Sequence, residues 1–364
     1  MNKKILLAGA GHGHLSFLHN IGRLKTVGFE ITVVSPDRYH YYSGMGPGLL
    51  AGTYTPDDCR FDVQRITESN NGIFIKDKII SFNPEKKTAE TASGLTLNYD
   101  SVSFNIGSEM KTLLPDRESI FNVKPISNLF KAGEFIREKF KNRNFKCAVI
   151  GGGYAGIECA CNVKYLSRLI GVNGDVTIFE RTGFMEHEKP SFRNSVIKEL
   201  NRIGVKISDN TGNVIFKNAK LATEKNNEFE GDIYLNAAGI SAPEIFKLSG
   251  IKTGNDGGLA VNRFLQSESY PEVFGTGDCI HFSDMPLRKA GVYAVRQNSI
   301  ILHNVVSFLK GKPLKPFHPQ NNYLKILSAG FNRGILYRRP FILRGKTAFI
   351  IKDYIDRRFM RHFS

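Results

Sequence analysis

Residues 147–158 read CAVIGGGYAGIE. The apolar run Cys147 to Ile150 has the character of a buried strand, and Gly151, Gly153 and Gly156 follow in G-x-G-x-x-G spacing. In such a strand–turn–helix unit the first glycine permits the tight bend and the second lets backbone N–H groups approach a pyrophosphate. The third allows close packing of helix on strand, while the helix N-terminus adds partial positive charge. The unit ordinarily opens a nucleotide-binding chain, yet here it lies mid-chain. An imperfect copy at the N-terminus explains this: KILLAGAGHGHL, residues 4–15, offers Ile5 to Ala8 as strand and Gly9, Gly11 and Gly13 as turn. One fingerprint is a weak signal. Two in one chain predict an α/β protein with two Rossmann-like dinucleotide-binding domains.

The copies differ in informative places. In the first, His14 stands where the third glycine belongs, and the strand EITVVS (30–35) ends in Ser35, where an acid would grip a ribose. Asp37, two residues on, is the expected substitute. In the second, DVTIFE (175–180) ends in Glu180, 24 residues after Gly156. A carboxylate there accepts both ribose hydroxyls and repels a 2′-phosphate, so NADH is expected over NADPH, with Arg181 pulling the other way.

Length and composition bound the rest. A chain of 364 residues, 41% hydrophobic, has room for two or more domains. Its five cysteines, Cys59, Cys147, Cys159, Cys161 and Cys279, form no CxxC, which argues against a disulfide scaffold and a zinc site and suits a reducing cytosol. His12 and His14 are expected to pack on the turn, with no metal. The start MNKKILLAGAG reads as a first strand rather than a signal peptide, and no run of roughly 18 apolar residues offers a membrane span. The net charge of +16 is uneven: residues 310–364 hold thirteen Lys and Arg against two Asp. That excess suits an acidic partner such as anionic lipid or nucleic acid, or else a solvated basic face.

A third element, VFGTGDC (273–279), is a short apolar strand followed by Gly277-Asp278. Here the chain resembles the two-dinucleotide-binding flavoproteins, in which this element returns to the first domain and its aspartate binds the ribityl chain of FAD. The resemblance makes Asp278 the flavin ligand. It also aims the N–H groups of Ala290, Gly291 and Val292, in KAGVYAVRQ (289–297), at the flavin pyrimidine edge, where they would stabilise reduced flavin. SFNIGS (103–108) with Gly107 and LNAAGI (235–240) with Gly239 resemble the crossovers that leave each cofactor domain. More closely, YYSGMGPGLLAGTYTPDDCRFDVQRI (41–66), KAGVYAVRQ and KDYIDRRFMRHF (352–363) resemble the pyridine nucleotide-disulfide oxidoreductase-like proteins found fused to, or beside, selenide, water dikinase. More distantly, the layout is similar to type II NADH dehydrogenases and sulfide:quinone oxidoreductases.

The expected organisation follows. Residues 1–115 begin an FAD domain, 116–145 cross over, 146–245 form an inserted NADH domain, 246–308 complete the FAD domain, and 309–364 are a basic C-terminal module. The resemblance implies an enzyme that passes hydride from NADH to flavin and then to a small acceptor, quinone-like or linked to selenium metabolism, in the cytoplasm or peripheral on the inner membrane face. The alternative is an NADH-sensing flavoprotein acting through a partner. Glu158, after the second fingerprint, resembles a glutamate near the nicotinamide in type II NADH dehydrogenases. Lys289 is the candidate cation for the flavin C2 carbonyl region.

Other features limit the acceptor. No paired-cysteine centre follows the first fingerprint, and Cys159 and Cys161, about 200° apart around a helix, read as core thiols. Sulfur transfer would leave Cys59 and Cys279 as candidates. The AQxAxQQ signature of type II NADH dehydrogenases is half lost, with Gly291 and Val292 in place of Ala and Gln. At the C-terminus Ile351, Ile355, Phe359 and Phe363 recur every four residues, with Lys352, Arg357 and Arg361 expected to point elsewhere. This basic amphipathic helix could lie on an anionic membrane, dock on its own domain, or meet a second subunit. Selenide, water dikinase is a further candidate partner; nucleic acid is not.

Overall fold

The computed structural model describes residues 2–110, 114–217, 219–225, 227–320 and 322–364. Two five-stranded parallel sheets organise it. In the first the order is Val273–Gly275, Ser101–Phe104, Lys3–Ala8, Phe29–Ser35, Ile73–Lys76. In the second it is Ile120–Asn122, Ile233–Asn236, Phe145–Ile150, Gly174–Phe179, Val205–Ser208. Parallel strands covered on both faces must be apolar throughout, and Ile5 to Ala8 and Cys147 to Ile150 are buried without alternation. Each fingerprint strand lies centrally in its sheet and runs into a helix, Leu15–Thr26 or Tyr154–Leu169.

The chain leaves the first domain and comes back. Phe246, Leu259, Val273, Phe274, Ile301 and Val305 share one core with Ile5, Phe17 and Val33. The strand Val273–Gly275 is therefore the edge of the first sheet although it follows the whole second domain. Residues 116–145, expected as a crossover, do more than connect. Ile120–Asn122 pairs with Ile233–Asn236 as the edge of the second sheet, and the helix Ser127–Lys139 packs Leu129 and Ile136 into the second core. Each domain also carries a small antiparallel meander, Ile79–Asn98 and Val214–Phe229.

The C-terminal module bridges both domains. Its hairpins, Lys325–Ser328, Gly334–Arg338 and Phe341–Gly345, set Leu327, Ile335 and Tyr337 against Cys161 and Phe192 of the second domain. The helix Lys346–His362 packs Phe349, Phe359 and Met360 on the first core. Its inward face is the expected one only in part: Phe359 and Phe363 pack on the core, but the most deeply buried residues lie elsewhere. Ala348, Lys352, Asp356 and Met360 are buried, with Lys352 only 5% exposed, whereas Ile355 is 40% exposed. The i,i+4 spacing lets the ammonium of Lys352 meet the Asp356 carboxylate at 2.5 Å, so two charges enter the interior as a pair.

Candidate active site

The first fingerprint turn is built against Asn105. Gly9, at φ +84°, lies so close that a Cβ would stand 2.5 Å from the Asn105 carbonyl oxygen; at Gly11 a Cβ would stand 2.2 Å from Asn105 Oδ1. Asn105 Oδ1 accepts the Gly13 N–H at 3.0 Å, and its Nδ2 donates to the Thr276 carbonyl at 2.8 Å. One buried amide thus ties the turn to the strand ends that flank it. The residue lies two before Gly107, inside SFNIGS, and its position in that crossover was the only sequence signal for it. His14 replaces the third glycine by stapling the turn. Burial pulls its pKa down to about 4, so the ring is neutral; Nδ1–H donates to Gly9 O at 2.6 Å, and Nε2 faces the Ser103 hydroxyl at 2.8 Å. His12 meets His40 at 3.0 Å beside the rings of Tyr42 and Phe359. Among the described residues no group of three or more potential ligands could hold a metal.

The residues expected around the flavin lie on elements next to this turn. Ser35 is buried at the C-terminal end of its strand, and Asp37 is exposed just beyond it. Gly107, at φ +72°, faces open space, and Gly277 packs against Asn105 and Ala294. Asp278 follows at the sheet edge. The helix Gly291–Leu309 begins with Ala290 as its N-cap, and Ser43 of the 41–46 loop lies over Gly291. Open space at Gly107, a partly buried carboxylate at Asp278 and a helix N-terminus together fit an FAD chain.

One neighbour departs from expectation. Lys289 is committed elsewhere: its ammonium pairs with Asp256 at 2.7 Å and donates to Ile280 O at 2.6 Å. The cation on Asp278 is Lys124, at 2.8 Å. Gln297 turns inward, its Oε1 accepting from the Thr276 hydroxyl and the Gly277 N–H, so it supports the turn rather than an acceptor.

The second turn matches its fingerprint closely. Gly151 takes φ +103°, and a Cβ on Gly156 would stand 1.9 Å from Gly151 O, which is the helix-to-turn contact that excludes any side chain. Gly153 caps the helix and faces open space. Glu180 Oε2 accepts the Gly152 N–H at 2.6 Å and Oε1 accepts from Thr182 N–H at 3.2 Å, which fixes the carboxylate at the rim of the turn. Gly239, at φ +75°, leads out of the strand Ile233–Asn236.

The two sites adjoin. The helix Gly46–Ala51, which continues the 41–46 loop, packs on the helix Tyr154–Leu169. On that second helix Glu158 reaches across to the C-terminal module, Oε1 accepting the Ser328 N–H at 2.7 Å. Burial pushes its pKa up to about 7, against the opposing pull of Lys352. Lys352 donates to Gly44 O at 2.5 Å, and Tyr42 donates to Asp356 Oδ1 at 3.1 Å. Burial works against the Lys352 charge, but Asp356 and Glu158 outweigh it and hold the group above the usual lysine range. This polar knot of Glu158, Lys352, Asp356 and Tyr42 binds loop, fingerprint helix and C-terminal helix together. Composition hid Lys352 and Asp356, because a charged residue on an amphipathic helix reads as solvent-facing.

The thiols stand apart from this chemistry. All five cysteines are buried and unbridged, and burial raises every one, Cys279 to about 11. A nucleophilic or sulfur-carrying thiol requires the thiolate, which these surroundings suppress.

Comparison with known proteins agrees with this geometry. A family model described as pyridine nucleotide-disulphide oxidoreductase matches residues 3–300. The chain is 24% identical over 390 aligned positions to a type II NADH:quinone oxidoreductase of Staphylococcus saprophyticus, covering 98% of this chain and 94% of that protein. It is 27% identical over 277 positions to ferroptosis suppressor protein 1 of Taeniopygia guttata, covering 72% and 70%. Its fold is similar to the sulfide:quinone oxidoreductase of Aquifex aeolicus, with a TM-score of 0.83 at 18% identity over 99% of this chain and 91% of that one. It is also similar to NDH2 from Plasmodium falciparum in complex with NADH, with a TM-score of 0.79 at 14% identity over 98% and 97%.

Proposed function

The chain belongs to the pyridine nucleotide-disulphide oxidoreductase family, as an FAD-dependent oxidoreductase that takes electrons from NADH, and we propose that its acceptor is a quinone. The observation that carries the proposal is Glu158. It is a half-buried acid poised near neutral pH where the second fingerprint helix meets the 41–46 loop, with no thiol pair competing for the electrons. FAD, when bound, would supply the two-electron chemistry that links NADH to the acceptor.

The protein's own residues do the rest. Gly151, Gly153 and Gly156 open the second turn to a pyrophosphate, and Glu180 at its rim selects an unphosphorylated ribose. Quinone reduction consumes two protons. Glu158 Oε1 is occupied by the Ser328 N–H, so Oε2 is the atom that carries a proton at neutral pH. The similarity to NADH:quinone oxidoreductases along 98% of the chain supports quinone over the selenium-linked acceptor raised by the sequence.

The same reading puts the protein on a membrane surface. Among the described residues no helix is long and apolar enough to cross a bilayer. Phe341, Ile350 and Tyr354 are 74%, 63% and 58% exposed on the C-terminal module, among Arg338, Arg339, Arg344, Arg358 and Arg361. Exposed apolar side chains on a module that also exposes several arginines suit an interfacial contact with anionic lipid.

The test is NADH oxidation by the purified, yellow protein with a short-chain quinone, with ferricyanide as a control that needs no proton. Quinone-dependent turnover is expected. Rapid flavin bleaching by NADH and ferricyanide turnover without quinone turnover would overturn the assignment.

A further inference from the structure

The cation at the candidate FAD aspartate comes from an unexpected place. Lys124 lies in the segment joining the edge strand Ile120–Asn122 of the second domain to the helix Ser127–Lys139. Its neighbour Val123 is held to the second sheet, its N–H donating to Asn236 O at 3.0 Å. From there the side chain crosses to the first domain. Lys124 Nζ donates to Asp278 Oδ2 at 2.8 Å and to Ser108 Oγ at 2.6 Å, and the Ser108 hydroxyl donates to the same Oδ2 at 3.3 Å. Two groups, from 108 and 124, thus close on a single carboxylate oxygen of Asp278. Oδ1 of Asp278 has no partner among the described residues, although the side chain is only 17% exposed.

This arrangement has two physical consequences. A carboxylate pinned through one oxygen presents the other in a fixed direction, which is what a single ribityl hydroxyl requires. A carboxylate beside a flavin also opposes the negative charge that reduction adds, and an ammonium 2.8 Å away cancels that opposition. Lys124 is close enough to His12, in the pyrophosphate turn, for its charge to disfavour the imidazolium there.

We infer that Lys124 is a positioning residue for FAD: it orients Asp278 through Oδ2, neutralises it, and anchors the cofactor pocket to the NADH domain. This rests on the reading of the first domain as an FAD domain. Lys289, which the sequence offered as the flavin cation, is spent on Asp256.

The test uses the full-length holoprotein and the variants Lys124→Met, Lys124→Arg and Ser108→Ala. Two quantities are read: FAD retained after gel filtration, and the midpoint potential of the bound flavin by dye equilibration. Lys124→Met is expected to weaken binding of reduced flavin at least tenfold relative to oxidised flavin, lowering the potential by about 30 mV for a two-electron couple. Lys124→Arg is expected to stay near the wild-type value, and Ser108→Ala to fall between. Loss of FAD from Lys124→Met with retention in Lys124→Arg supports the same role. The inference is overturned if Lys124→Met keeps stoichiometric FAD at an unchanged potential, or if both lysine variants lose FAD alike. A wild-type protein that binds no FAD would instead refute the reading beneath it.

Discussion

Glu158 gives the most quantitative prediction. Its pKa rises from about 4.5 to about 7 because burial disfavours the carboxylate, and that displacement is a statement about stability. Below about pH 4.5 the group is protonated in both folded and unfolded chains and costs nothing. Between 4.5 and 7 the unfolded chain ionises while the folded one keeps its proton, so stability is lost as pH rises; above 7 the loss is complete. At about 1.4 kcal/mol per pH unit, the full penalty is about 3 kcal/mol. Glu158→Gln keeps an acceptor for the Ser328 N–H and removes the charge. Relative to wild type it should gain about 2.5 kcal/mol between pH 5 and pH 8, the part of the penalty that falls in that interval. For a chain of this size that is roughly a 3 °C gain in Tm at pH 8 over the difference at pH 5, measured by thermal unfolding of the two proteins in parallel. An equal Tm difference at both pH values would show that Glu158 ionises normally and refute the burial argument. In turnover the same variant should lose quinone reduction while ferricyanide reduction persists, because only the first consumes a proton.

Further outcomes follow from individual contacts. Glu180→Ala should lower the NADH-to-NADPH ratio of kcat/KM by about tenfold to a hundredfold, the worth of one charged ribose contact; an unchanged ratio would remove Glu180 from the cofactor site. Gly156→Ala places a methyl 1.9 Å from Gly151 O and should abolish NADH-dependent flavin reduction while FAD binding, which belongs to the other domain, survives; intact NADH reduction would contradict the geometry. Lys352→Met strands Asp356 and should destabilise by about 3–5 kcal/mol, while adding Asp356→Leu should recover much of it, read by urea unfolding. Phe341→Ser with Ile350→Ser should reduce sedimentation with anionic vesicles and leave ferricyanide turnover intact; undiminished sedimentation would refute the membrane face.

How far the sequence could be read depended on how local each signal was. The fingerprint strands, their glycines, His14 in the first turn and Gly277-Asp278 are stretches of under fifteen residues, and the conformation each demands is set by neighbours in the chain. Contacts spanning the chain were not legible. Asn105 meets Gly13 across 92 residues, and Lys124 meets Asp278 across 154. Neither residue type signals its partner, since an asparagine in a crossover reads as turn and a lysine as surface. Lys289 shows the converse: adjacency to the flavin-side helix suggested a role, but Asp256, 33 positions upstream, captures its charge.

The C-terminal helix shows most clearly what periodicity cannot decide. Counting apolar residues every four positions chose Ile351, Ile355, Phe359 and Phe363 as the inner stripe and turned Lys352 outward. The fold keeps Phe359 and Phe363 on the core but buries the residues one position along most deeply, because Lys352 and Asp356 satisfy one another and the remaining bonds go to Gly44 O and Tyr42 of the flavin-side loop. A buried pair of this kind adds little net stability over an apolar stripe, but only one register satisfies all four groups, so it fixes how the helix seats on the loop. The consequence bears on membrane attachment. Deleting residues 346–364 would remove the exposed Ile350 and Tyr354 together with the contacts that hold Tyr42 and Gly44, so lost quinone turnover in the truncated chain would not distinguish a missing lipid contact from a disordered site. Surface changes at Phe341 and Ile350 separate the two, because both side chains are largely exposed and neither contributes a bond to the knot: a vesicle-binding defect with full ferricyanide turnover then arises at the outer face of the C-terminal module.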